Sequence, residues 1–163
     1  MLNKEDIYFI KQTELYEKSV KLELFGEGPW MDEPDFEKFK YNGLNCMLIR
    51  SDIGCWCGYV QLPENHPWIR IDYHEINDID VHGGLSFKGP RTDYQEEGEW
   101  IGFDCAHSMD LSPSNEKVIK EIIKHLYRKF PGIDQSLLNP TYKDINFVRE
   151  ETKRLADQVK SAK

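Results

Sequence analysis

Between Ile79 and Asp110 the sequence gathers His82, Gly83, Gly84, Asp104, Cys105, His107 and Asp110 into two short apolar runs, IDVHGGLSF and EWIGFDCAHSMD. Asp104, His107 and Asp110 follow a D-x-x-H-x-x-D spacing. That spacing would suit a divalent metal if the chain turned after Ala106, with His82 completing a nitrogen and oxygen donor set. The same residues could work without a metal, as a general acid/base pair in which Asp104 orients His82 or His107. His82-Gly83-Gly84 adds backbone that can approach a ligand closely and point amide hydrogens at a phosphate or an oxyanion. Each feature also has a bland use. Paired glycines mark bulges, and aspartates at a strand end accept backbone amides. His66, on the PENHPW turn directly after an apolar run, is a further ligand-contact candidate.

The elements that would position these residues are legible in the periodicity. Residues 79 to 87 alternate, with Ile79, Val81, Leu85 and Phe87 on one face. Residues 99 to 105 alternate too, with Ile101, Phe103 and Cys105 on one face, which makes Cys105 a buried, inert thiol rather than a nucleophile. Paired antiparallel about their connection, the two runs set Phe87 against Glu99 and His82 directly opposite Asp104, their apolar sides directed toward the helices. LNCMLIR from Leu44 and CWCGYVQL from Cys55 form a hairpin around the loop 51 to 54.

Residues 4 to 20 predict an amphipathic helix through Ile7, Ile10 and Leu15. The segment GEGPWMDEPDF then reads as a connection anchored by Trp30 and Phe36. A helix opens near Ser112-Pro113 and carries Ile119, Ile122, Ile123, Leu126, Tyr127 and Phe130 before Pro131-Gly132. Another begins near Asp144 with Val148, Thr152, Leu155 and Val159 on one face. Strands first and helices after predict a single α+β domain over residues 1 to 163, an antiparallel sheet of at least four strands with helices packed on one face.

Composition narrows the function classes. At 39% hydrophobic residues the chain can build a core, and no apolar run is long enough to span a bilayer, so a membrane partner is not expected. The net charge of −8 disfavours nucleic acid polymers, which reward clustered Lys and Arg. MLNKEDIYFIKQ breaks its apolar residues with charges, unlike a signal peptide, so a cytoplasmic location is expected. The four cysteines, Cys46, Cys55, Cys57 and Cys105, are then expected as reduced thiols, and they lack the paired C-x-x-C spacing of zinc ribbons.

GLNCMLIR, CGYVQLPENHP, VHGGLSF, WIGFDCAHSMD and YKDINFVREETKRLADQ together resemble an uncharacterised family of small phage- and prophage-encoded proteins, over roughly residues 29 to 159. The resemblance implies a bacterial cytoplasm and a mobile-element origin, and it carries no catalytic assignments. Three functions compete. One is a hydrolase acting on a small phosphorylated or nucleotide-like molecule through His82, Asp104, His107 and Asp110, with a divalent metal as the cofactor the donor set would take. The second is a protein that sequesters such a ligand without turnover, with Trp56, Trp68 or Trp100 as stacking platforms. The third docks on a host protein.

Overall fold

The computed structural model describes residues 7–163. Asn42 and Gly43, with φ 51° and 76°, form the two-residue turn that only such residues adopt easily, and it folds β2 (Phe36–Tyr41) onto β3 (Leu44–Arg50). The sequence carries this hairpin signal, and the alternation reading passes over it. The expected second hairpin follows, from β3 through residues 51 to 54 into β4 (Trp56–Gln61). With β1 (Tyr8–Thr13), β5 (Phe87–Arg91) and β6 (Glu96–Asp104), the described residues form a sheet of six strands in the order β1-β2-β3-β4-β6-β5, every neighbouring pair antiparallel. The helices are α1 (Lys18–Phe25), α2 (Glu116–Lys129) and α3 (Ile145–Ser161). The fold is α+β, as expected.

α3 starts where Asp144 accepts the Phe147 amide at 2.8 Å, a side-chain cap, and it buries Val148, Leu155, Ala156 and Val159 against Phe39, Leu48, Val60, Ile101 and Phe103 of the sheet. Gly58 in β4 permits this approach, since a Cβ there would collide with Thr152 Oγ1 and with Phe103. The opposite face buries Phe36, Met47, Ile49, Tyr59 and Trp100. The tip of the β5–β6 hairpin covers it. Tyr94 stacks on Phe36 at 5.6 Å, Lys38 pairs with Glu96, and the Arg91 guanidinium lies 4.5 Å from the Tyr59 ring. Trp30 and Phe36 are both buried, as expected of anchors, and Trp56 and Trp100 are fully buried in the two cores, which removes them as stacking platforms for a ligand.

Three expectations are corrected. Residues 8 to 13 form an edge strand rather than part of a helix. Pairing with β2 decides it; Ile10 and Leu15 are exposed and only Ile7 packs against the core, so their spacing marks no buried helical face. Residues 4 to 6 of that expected helix lie outside the described residues. Residues 79 to 86 are a turn-rich connection, and only Phe87 belongs to the strand. Phe87 pairs with Gly102 rather than Glu99, which places it on the face away from α3 beside Tyr59, at 5.4 Å between rings. Val81, Ile101, Phe103 and Cys105 do join the α3-side core, and Ile79 and Leu85 pack against it. α2 forms where its stripe predicts, yet none of its residues is buried.

Candidate metal centre

The site is assembled by two turns and one helix. β6 ends at Asp104, whose carboxylate accepts the Ala106 amide at 3.0 Å and bends the chain out of the sheet. Asp110 then folds back: its backbone N–H donates to the His107 carbonyl at 2.9 Å, and its carboxylate accepts the His107 amide at 3.0 Å. The second turn comes from the connection before β5. The Gly84 amide donates to the Val81 carbonyl at 2.9 Å, and Gly83 adopts φ 68°. α3 grips this turn by its flanks, since Glu151 accepts the His82 amide at 2.8 Å and Gln158 brackets Asp80 through its N–H and C=O.

The result brings three sequence candidates together. The His82 imidazole donates through Nε2 to Asp110 at 2.8 Å, and His107 donates through Nδ1 to the same carboxylate at 3.1 Å. The rings of His82 and His107 meet edge to face at 5.2 Å, and Phe147 stands perpendicular to His82 at the same separation. One donor atom from each of His82, His107 and Asp110 falls within 4.8 Å of the others. The Asp110 side chain is 1% exposed, against 22% for His82 and 39% for His107, so the carboxylate forms the floor and the imidazoles the open side. Burial pushes the Asp110 carboxyl up, but hydrogen bonds from His82 and His107 outweigh it and hold the group below the usual carboxylate range.

Asp104 is not opposite His82. Its cross-strand partner is Cys57, because His82 lies in a turn and not in a strand. Asp104 approaches the cluster from the other side instead, with Oδ1 3.9 Å from His107 Nε2. Gly83 lays its backbone on the His107 ring so closely that a Cβ would overlap the imidazole, and Gly84 faces open space.

His66 is placed elsewhere. Its Nδ1 accepts the Trp68 amide at 3.1 Å and its Nε2 donates to the Val159 carbonyl at 2.8 Å. Val159 lies eight residues beyond Glu151 on α3, about 12 Å along the axis. Cys105 is buried, and burial pushes its thiol far up, which fits an inert core residue. All four cysteines are free thiols.

Sequence reasoning missed Lys143, whose Nζ is 3.5 Å from Asp110 Oδ1, and Glu151 and Phe147, which hold His82. No local signal could have found them. They follow from how α3 crosses the sheet.

Gly83→Ala is expected to displace His107 and to force a non-glycine residue to φ 68°, destabilising the fold by about 1–3 kcal/mol. Urea denaturation reads the loss, and histidine ring resonances would show whether His107 moved. Wild-type stability with unshifted His107 signals would refute the packing described.

Comparison with models of known protein families, with curated protein sequences and with solved structures finds no match. Among the described residues no helix is long and apolar enough to cross a membrane.

Proposed function

We propose that the chain is a metal-dependent hydrolase of small phosphate esters, its ion held by His82, His107 and Asp110. The convergence of two imidazole nitrogens on one buried carboxylate, three ligands of suitable type in all, carries the reading. Ligands bonded at about 2.0–2.2 Å to one ion lie roughly 3 Å apart, and the two imidazole nitrogens already stand 2.8 and 3.1 Å from the Asp110 oxygen. Asp104, near His107 Nε2, has the place of a carboxylate that orients a ligating histidine from behind.

Two imidazoles and one carboxylate serve zinc hydrolases and iron oxygenases alike. Lys143 beside the cluster favours an anionic substrate. A bound divalent ion there would polarise a phosphoryl oxygen and acidify a water. In the reaction the water oxygen bonds to phosphorus and the ester P–O bond breaks. The proton lost by the water ends on the leaving alcohol, and inorganic phosphate departs. Lys143 offsets charge on the phosphoryl oxygens.

Loading the protein with zinc or manganese, dialysing, and counting metal by mass spectrometry should give one ion per chain, and phosphate release from simple esters should require it. Absence of metal uptake, or metal-loaded protein that leaves every ester intact, overturns the hydrolase. A ligand released unchanged on heating would instead identify sequestration. That second reading draws on the cleft of about 300 Å³ that Gly84 lines.

A further inference from the structure

We propose that this cleft holds the base of a nucleoside phosphate whose phosphate end lies at His82, His107 and Asp110, an assignment that rests on the hydrolase reading for its phosphate half. Tyr73, His74, Ile76, Asn77, Asp78 and Gly84 line the cleft. Its chemistry is unlike that of the metal cluster. The Tyr73 and His74 rings pack on each other in a tilted pair, 4.0 Å between centroids with 35° between planes, which gives the cleft an aromatic edge, and Ile76 is a buried apolar wall. Asn77 spends its Nδ2 on the Glu75 carbonyl at 3.1 Å, which leaves Oδ1 as its acceptor, and Asp78 adds a carboxylate.

An acceptor-rich, acidic cleft repels phosphate and suits a planar group carrying amino or ring N–H donors. The phosphate of such a ligand belongs at the donor cluster, where a bound divalent ion together with Lys143, which pairs with Asp110 at 3.5 Å, would offset its charge. The two ends are close. Gly84 lies two residues after His82, so their backbones are at most about 7 Å apart. A nucleoside monophosphate places base and phosphate at a comparable separation. Gly84, at φ 81° with open space where a Cβ would be, keeps the ridge between cleft and cluster low enough for one ligand to cross.

Adenosine, which has no phosphate, tests the cleft independently of the metal. In nuclear magnetic resonance titration it should shift the Gly84 amide and the His74 ring, and the shifts should disappear in Tyr73→Ala and in Asn77→Ala, each checked for native fold by its spectrum. In the metal-loaded protein, adenosine monophosphate should exceed ribose 5-phosphate in kcat/KM by about tenfold, the scale of one stacked base. Tyr73→Ala should bring that ratio to about one. Unmoved resonances with adenosine, or equal kcat/KM for the two esters, overturns the base site and leaves the hydrolase standing. Adenosine binding without hydrolysis of either ester supports the cleft and removes the hydrolase.

Discussion

Arg50→Met is expected to cost about 3–5 kcal/mol of folding stability, measured by urea denaturation, because it leaves Glu33 in the interior without its cation and Asp35 with Lys21 alone. The Arg50 side chain is fully buried and bonds Asp35 through Nε at 2.7 Å and Glu33 through Nη2 at 3.0 Å. It also donates to the Gly54 carbonyl and the Tyr142 hydroxyl, each at 2.9 Å, while its plane lies 4.4 Å from the Trp56 ring. Glu33 in turn accepts from Trp56 Nε1 and from the Ile145 amide at the start of α3. Asp35 accepts the Leu15 and Tyr16 amides and pairs with Lys21 of α1 at 2.8 Å. One guanidinium therefore ties α1, β3, β4 and the head of α3.

Burial pushes the Asp35 carboxyl up, yet hydrogen bonds from Lys21 and Arg50 dominate and hold it below its usual range. A carboxylate depressed in the folded state contributes its stability above the unfolded pKa of about 3.9 and loses it as pH falls through the folded value. The gap between wild type and Arg50→Met should therefore be widest near neutrality and narrow under acid. Arg50→Lys, which keeps the charge but not the fork, should fall between them. A loss below about 1 kcal/mol for Arg50→Met would mean the network contributes little beyond what packing supplies.

Asp110→Asn should weaken zinc or manganese binding at least about 100-fold and stop phosphate release, with the circular dichroism of the fold retained. The amide preserves size and can still accept the His107 amide, but it brings no negative charge between two imidazoles and Lys143. Lys143→Met provides a change of opposite sign. With the competing cation removed from Asp110, metal should bind more tightly, while KM for a phosphate ester should rise. A purely structural cluster predicts otherwise: Asp110→Asn would lower the melting temperature without any metal affinity to lose, and Lys143→Met would leave esters and metals indifferent.

Sequence by itself determined the elements whose signals are local. Asp144 and the stripe Val148, Thr152, Leu155, Val159 specify a capped helix with one buried face, because cap and stripe lie within a few turns of the same chain segment. The turn over residues 51 to 54 joins two apolar runs, and the parity of Ile101, Phe103 and Cys105 puts them on one shared face, although Trp100 on the other face is fully buried too. Alternation misled at residues 79 to 86, where positive φ at Gly83 and Gly84 makes a turn, and the burial of Val81 with the partial burial of Ile79 and Leu85 reflects packing against the α3-side core rather than a pleat. β1 misled for the converse reason, since pairing with β2 across the sheet overrides a helical spacing.

His82, His107 and Asp110 were all visible as candidates, but not their partners. The expected pairing of His82 with Asp104 required a strand that is absent, and the meeting with Asp110 arises because Glu151 and Phe147 of α3 seat the His82 turn beside the end of β6. That placement depends on packing between segments some seventy residues apart, 69 for Glu151 and His82, and no short window of sequence encodes it. Only the tertiary structure decided which carboxylate the two imidazoles share.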